Sequence, residues 1–220
     1  TRRVPPERDE KILTSWNSLM LGTLAEAGRI LAIPRYVVAA AAAADFLWTR
    51  LRNGDRLLHG WARGRAKQAA FLDDHAFFAS ACLDLYEASG DLRHLGRARE
   101  LMEALETRFH DPAGAYFFTP HDGETLIARS KSAADGAIPS GNGVAAVALL
   151  RLHVLTDDER WRTRAEEILR LYHAAATKNP FGYTTYLEAL ERWTHGPTEV
   201  VVVGPSGDPG VEALWRAVAS

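Results

Sequence analysis

RSKSAADGAIPSGNGVAAVALL, residues 129–150, is the stretch whose reading decides the fold. It begins with alternating charge at Arg129, Lys131 and Asp135, turns through Gly136 and Pro139, and launches a helix at Ser140-Gly141-Asn142-Gly143. Ser140 is the expected N-cap, because a serine hydroxyl accepts a hydrogen bond from an orphan N–H of the first helical turn. From Val144 to Leu150 the helix is Val, Ala and Leu on every face. A helix that is apolar all round is buried all round. Its polar residues are then confined to its end, so the cluster at its N-terminus is expected to face a cavity. The positive end of the helix dipole favours an anionic or hydroxyl-rich ligand there.

Working outward, a charged knot at Arg8-Asp9-Glu10-Lys11 precedes a helix capped by Thr14 or Ser15 and running to Leu31, with Leu19, Met20, Thr23, Leu24 and Ala27 at helical spacing. A second, alanine-rich helix is expected from Arg35 to Leu51, then a turn at Asn53-Gly54-Asp55 and a short strand from Arg56 to Trp61, with Gly60 and Gly64 marking an irregular loop. Asp73 or Asp74 is expected to cap a third helix that stops at Gly90, and Asp91 to open a charged, outward-facing fourth. Residues 111–130 read as a β-hairpin. After the opening stretch come an amphipathic helix from Asp158 to Thr177, a break at Asn179-Pro180, and a helix from Tyr183 to Trp193. A β-branched strand from Glu199 to Val203 and a last helix from Gly210 to Ala219 close the chain.

The pattern repeats at the level of elements. Apolar helices with polar N-termini alternate with charged amphipathic ones. The polar ends fall at Trp16-Asn17, Asp73-Asp74-His75 and Ser140-Asn142, and a fourth follows Pro180 with Tyr183, Tyr186 and Glu188 near its mouth. The expected fold is therefore all-α, an α/α toroid of helical hairpins with β-hairpin insertions and a small strand near the C-terminus. Inner helices run parallel, outer helices return, and the inner N-termini share one rim.

That rim would collect acids, amides and aromatic surface. Asp73, Asp74 and Asp135 supply carboxylates, Asn17 and Asn142 read hydroxyls, and Trp16, Trp61, Tyr116 and Tyr183 offer faces for sugar stacking. Paired carboxylates serve glycoside hydrolysis, for which Asp74 and Asp135 are the catalytic candidates. Proton abstraction by a histidine would serve epimerisation, with His75 and His59 as candidates. Trp16, Asn17, Asp73, His75, Lys131, Ser140, Gly141 and Asn142 are the expected substrate contacts. The structural alternatives stand beside these: Asp73 and Asp74 as caps, His75 and Trp16 as core, Asp135 and Lys131 as a surface ion pair. Two glycines at the start of a buried helix cost helix stability, which points to close approach by a ligand or a neighbouring helix.

Composition narrows the classes. The 220 residues suit one domain, and a net charge of -2 with no dense basic run argues against nucleic acid. No apolar stretch is long enough to span a bilayer. One cysteine, Cys82, leaves no internal disulfide and no Cys-based zinc site, and fits a reducing, cytoplasmic compartment. The eight histidines show no metal-ligand spacing, no GxSxG is present, and GPSGDPG at 204–210 lacks the GK[ST] of a phosphate loop, so neither a cofactor nor a metal is expected. The chain starts at Thr1 rather than Met, so a piece of a longer parent or a processed product is expected.

The segments RDEK-LTSWNSLM, LDDHA, LYEASGD and RSKSAADGAIPSGNGVAA resemble the C-terminal part of the thioredoxin-domain-containing (DUF255-type) family typified by spermatogenesis-associated protein 20. The matching positions are Arg8, Asp9, Lys11, Ser15, Trp16, Asn17, Asp74, Lys131, Asp135, Gly136, Pro139, Ser140, Gly141 and Asn142; Glu10, Ser18, His75 and Gly143 depart from the pattern. The resemblance implies an (α/α)6 barrel similar to six-hairpin glycosidases and N-acylglucosamine 2-epimerases, of which residues 1–220 form the C-terminal half as a single domain. It implies that a thioredoxin-like domain and the first half of the barrel lie elsewhere. Half a toroid exposes inner-helix flanks, so self-association is expected, as is a small carbohydrate or polyol as ligand or, failing that, a scaffold role against a thioredoxin-like partner.

Overall fold

The computed structural model describes residues 3, 4, 6, 8–198, 200–205 and 207–219. In order they form β1 (Ile12–Leu13), α1 (Thr14–Ile30), α2 (Pro34–Arg50), β2 (Arg52–Asn53), β3 (Arg56–Ala62), β4 (Arg65–Ala69), α3 (Leu72–Ser89), α4 (Leu92–Arg108), α5 (Gly141–Thr156), α6 (Glu159–Lys178), a 3₁₀ turn (Pro180–Gly182), α7 (Thr184–His195) and α8 (Pro209–Ala219). Short links make antiparallel hairpins of α1/α2, α3/α4 and α5/α6, and α1, α3, α5 and α7 pack side by side in an arc. This is the α/α toroid: inner helices share a direction, so their N-termini lie on one rim, and α2, α4 and α6 form the outer layer.

Each layer follows from its sequence. From Gly141 to Leu150 every residue of α5 is buried, as an all-apolar helix requires. Outer helices α4 and α6 begin with the same local device, Asp91 and Asp158 each accepting the N–H two residues on, at 3.0 and 3.1 Å. Gly90, at φ 69°, ends α3 in the left-handed conformation that glycine adopts without penalty. In α1 the buried face is the small one, Thr14, Ser15, Ser18, Leu21, Gly22, Ala25 and Gly28. Of the expected apolar stripe, Met20 is 61% exposed and Leu19 and Leu24 are half-buried. Small residues win the interior because α1 lies tight against its neighbours: a Cβ on Gly28 would stand 2.6 Å from Val37 of α2.

The strands differ from expectation. The hairpin is β3–β4, with Gly60 opposite Lys67 and Trp61 opposite Ala66; Arg63 and Gly64, both at positive φ, make its turn. β1 pairs with the other edge of β3, Ile12 opposite Trp61, which seats the sheet beside the start of α1. Residues 111–130 are not a hairpin. An isolated bridge joins Tyr116 to His110, just before them, and the two arms meet through the N–H of Phe118 on the carbonyl of Ser130 at 2.8 Å. The groups a return strand would pair with are taken: the side chain of Asn142 bonds both the N–H and the carbonyl of Tyr116, and Phe118 accepts from Leu72. Val200 to Val203 form no strand, since no neighbouring strand pairs with them, and Glu199 lies outside the described residues.

Candidate functional site

The rim is held together by carboxylates that reach sideways. Asp74, fully buried, sits in the first turn of α3 rather than at its cap, which is Phe71. Its Oδ1 accepts the N–H of Ser15 on α1 at 2.9 Å, and its Oδ2 accepts the N–H of Phe71 at 2.8 Å. One side chain thereby satisfies orphan donors of two helices. Neither Thr14 nor Ser15 caps α1; the N-cap is Leu13, and the Thr14 hydroxyl donates to Leu58 of β3 at 2.6 Å. Asp135 does the same further round. Its Oδ1 accepts the N–H of Ser140 at 2.9 Å, and its Oδ2 accepts the Thr184 hydroxyl at 2.8 Å and the Thr185 N–H at 2.9 Å. Partial burial opposes ionisation of Asp135, but the Thr185 and Ser140 N–H groups and the Thr184 hydroxyl hold its carboxyl below the usual range.

Asp73 reaches from α3 to the start of α5, its Oδ1 lying where a Cβ on Gly141 would stand. Burial, joined by the charge of Asp74, pushes its carboxyl up to about 6. Against Asp74 lies His59 of β3, its Nδ1 2.9 Å from Oδ2. That bond raises the imidazole above its ordinary value, burial opposes the rise, and the charges of Asp74 and Asp73 add to it. The ring packs edge-on to Phe71, which stacks on Phe118.

Other sequence candidates have structural partners. Ser140 caps α5 through the N–H of Gly143 at 3.1 Å, as expected. Asn142 is buried and spends both side-chain ends on Tyr116 and Ser132. Gly141 and Gly143 answer to neighbouring helices: a Cβ on the first would stand 2.7 Å from Leu72, and on the second 3.0 Å from Thr185. His75 is buried with Nδ1 on the carbonyl of Phe71 at 3.0 Å, and burial lowers its pKa, leaving it neutral. Lys131 does not pair with Asp135; it binds Asp111 at 2.7 Å and the Gly114 carbonyl at 2.8 Å. Asn17 donates back to Leu13 at 2.8 Å, and Trp16 is 62% exposed. Of the further stacking candidates, Tyr116 is buried, while Trp61 and Tyr183 are partly buried against the core.

Below the rim, the concave face of the inner helices holds a cavity of about 280 Å3. Glu26 and Arg29 of α1, Asp84 and Glu87 of α3, Arg151 of α5 and Glu188 and Arg192 of α7 line it. Arg151 bridges the two acids of α3 at 2.8 Å each. Burial raises the Asp84 carboxyl against the pull of Arg151. Gly22 of α1 makes room for it, since a Cβ there would stand 2.7 Å from the Asp84 Oδ2. The sequence carried a signal for this cavity that the motifs overshadowed: Arg151 is the lone arginine in an otherwise apolar buried helix, and a buried cation is placed where acids can meet it. Among the described residues, no group of three or more His, Cys, Asp or Glu is arranged to hold a metal ion.

No family model matches the chain. It is 32% identical over 222 residues to an uncharacterised protein of Caenorhabditis elegans, covering 97% of this chain and 30% of that one. It is 31% identical to spermatogenesis-associated protein 20 of Rattus norvegicus (96% of this chain, 28% of that one) and 30% identical to the Homo sapiens protein of the same name (99% and 29%). The chain thus spans less than a third of the length of these relatives. Among solved structures it resembles a GH76 alpha-mannanase of Bacteroides thetaiotaomicron (TM-score 0.68, 14% identity, 88% of this chain and 55% of that one). It also resembles an unsaturated glucuronyl hydrolase of Bacillus sp. GL1 (0.65, 18%, 87% and 60%) and a cellobiose 2-epimerase of Bacillus thermoamylovorans (0.60, 20%, 76% and 45%). At such identities the likeness establishes the six-hairpin glycosidase-like toroid and nothing of the chemistry.

Proposed function

We propose that this chain is the six-hairpin part of a thioredoxin-domain-containing protein related to spermatogenesis-associated protein 20, and that it binds a carbohydrate or polyol on the concave side of the inner helices. The observation that carries the reading is the polar cavity of about 280 Å3 lined by α1, α3, α5 and α7. Its walls offer carboxylates and guanidinium groups fixed by their own ion pairs, an arrangement that reads hydroxyl groups without large rearrangement. Three toroids of similar fold are named for action on saccharides, which supports the ligand class by analogy only. The non-catalytic alternative, a module packed against a partner domain, is favoured by one observation: both oxygens of Asp74 and of Asp135 are already committed to helix ends.

The test is a thermal-shift screen with aldoses, reducing disaccharides, uronic acids and polyols. A ligand at ten times its Kd stabilises the fold by about 1.4 kcal/mol, which raises Tm by roughly 3–5 °C for a chain of this size. Glu188→Ala with Arg192→Ala, both on the exposed wall of α7, should remove the shift while leaving the unliganded Tm within about 2 °C, as surface substitutions do. If no sugar or polyol moves Tm, the reading is wrong.

A further inference from the structure

We propose that the outer edge of β4 takes up an extended peptide strand in which acidic and apolar residues alternate. This surface does not depend on the carbohydrate reading, and it stands on two observations. The first is an open sheet edge. β4 pairs with β3 on one side, and among the described residues no backbone bond reaches Arg65–Ala69 from the other. An edge strand with unpaired N–H and C=O groups is a template for a further strand. Ala62 and Arg65 flank the two-residue turn and form its closing hydrogen-bonded pair. The alternation of an antiparallel ladder then turns the N–H and C=O of Ala66 away from β3. Gln68, at φ 64°, bends the strand after Lys67 and confines the straight edge to residues 65–67.

The second is charge. Elsewhere the arginines of this chain are paired: Arg52 with Glu100, Arg56 with Asp122, Arg97 with Asp45 and Arg108 with Asp55. Arg63, Arg65 and Lys67 are exposed and, among the described residues, make no ion pair, side-chain hydrogen bond or ring contact. No carboxylate occurs in the sequence between Asp55 and Asp73. Uncompensated cations along an edge repel a second copy of that edge and attract an acidic strand. Side chains alternate between faces, so Arg65 and Lys67 share one face about 7 Å apart. Their cross-strand neighbours are Ala62 and Gly60, which offer no counter-charge. Ala66, between them, lies on the other face opposite Trp61, which packs edge-on to Phe46. An added strand therefore meets Arg65 and Lys67 with acids at every second position, and Ala66 and Trp61 with the apolar residue between them. A nucleic acid or an acidic glycan offers charge but no backbone that matches the edge.

The experiment titrates the whole chain into a fluorescein-labelled peptide of alternating glutamate and valine and follows anisotropy. Three controls run beside it: a peptide of the same composition with its glutamates in one block, the alternating peptide N-methylated at its valines, and a labelled oligodeoxynucleotide. The alternating peptide should bind with Kd below about 1 mM, and the blocked one about tenfold more weakly. N-methylation removes the donors that face Ala66 and keeps every charge, so it should abolish binding without altering the protein. Arg65→Gln with Lys67→Gln should weaken the alternating peptide by about tenfold, as the loss of two cross-strand charge pairs predicts. Both residues are exposed, so Tm should stay within about 2 °C of the unmodified chain. Equal binding of the blocked or N-methylated peptide, or tighter binding of the oligodeoxynucleotide, means charge attraction alone and overturns strand addition. No binding of the alternating peptide at about 1 mM overturns the proposal outright.

Discussion

At the scale of single residues, Asp74 carries the most. Removing its side chain strands a backbone donor on α1 and another at the start of α3 in a buried setting. Each unsatisfied buried donor costs about 1–3 kcal/mol, so Asp74→Ala should lose about 3 kcal/mol or more, read as a fall in the urea midpoint with an unchanged slope. His59→Gln, at a partly exposed ring, should lose less than about 1 kcal/mol in the same assay. Asp73 has the opposite sign. Its carboxyl ionises at about 6 in the folded chain against an ordinary 3.8. The folded state therefore holds the proton more tightly, and stability is fullest below the unfolded value and falls as pH rises through 6. Each pK unit is worth about 1.4 kcal/mol, and partial exposure reduces the total, so Asp73→Asn should stabilise the chain by about 1 kcal/mol at pH 7.5 and by little at pH 4. Thermal melts at the two pH values check the sign.

At the scale of elements, helix ends and helix contacts ask different things of glycine. Gly141 begins α5 against Leu72 and Asp73 of α3, so Gly141→Ala must push the helices apart and should cost about 2 kcal/mol. Gly96 lies inside α4 with open space where a Cβ would stand, so Gly96→Ala should gain about 0.5–1 kcal/mol. Denaturant midpoints of the two variants should move in opposite directions. These elements also mark what the sequence could tell. Helix periodicity, the Gly90 stop and the Asp91 and Asp158 caps are local signals, and the toroid follows from their order. Asp74 is different: its partner Ser15 is distant in the chain, and only the packing of α1 on α3 turns a residue that looks like a cap for its own helix into a cap for the next. Tyr116 is similar, since a strand-like stretch pairs with one asparagine side chain instead of a strand. The lumen was the least legible part. Its acids and arginines are scattered along four helices that share no motif.

At the scale of the molecule, the arc has two unlike ends. The open side of α1 shows Trp16, Met20 and Ile30, at 62%, 61% and 46% exposure, whereas the outer side of α7 shows Glu191 and Thr194 beside Leu187. An apolar stripe along one helix favours burial against another apolar surface. The expected outcome is self-association through α1 at micromolar concentration, seen as a dimer mass by light scattering and abolished by Trp16→Glu with Met20→Lys. A monomer mass for the unmodified chain would sink that expectation. Among the described residues no helix is long and apolar enough to cross a membrane.

Cys82 lies midway along α3, with no exposed surface, and burial pushes its thiol up so that the reactive thiolate is scarce. The helix around it touches α1, α4 and α5, so no small breathing motion uncovers it. The chain thus carries its own unfolding clock: the rate at which Cys82 is alkylated counts how often the central hairpin opens, without a label that would disturb the interior.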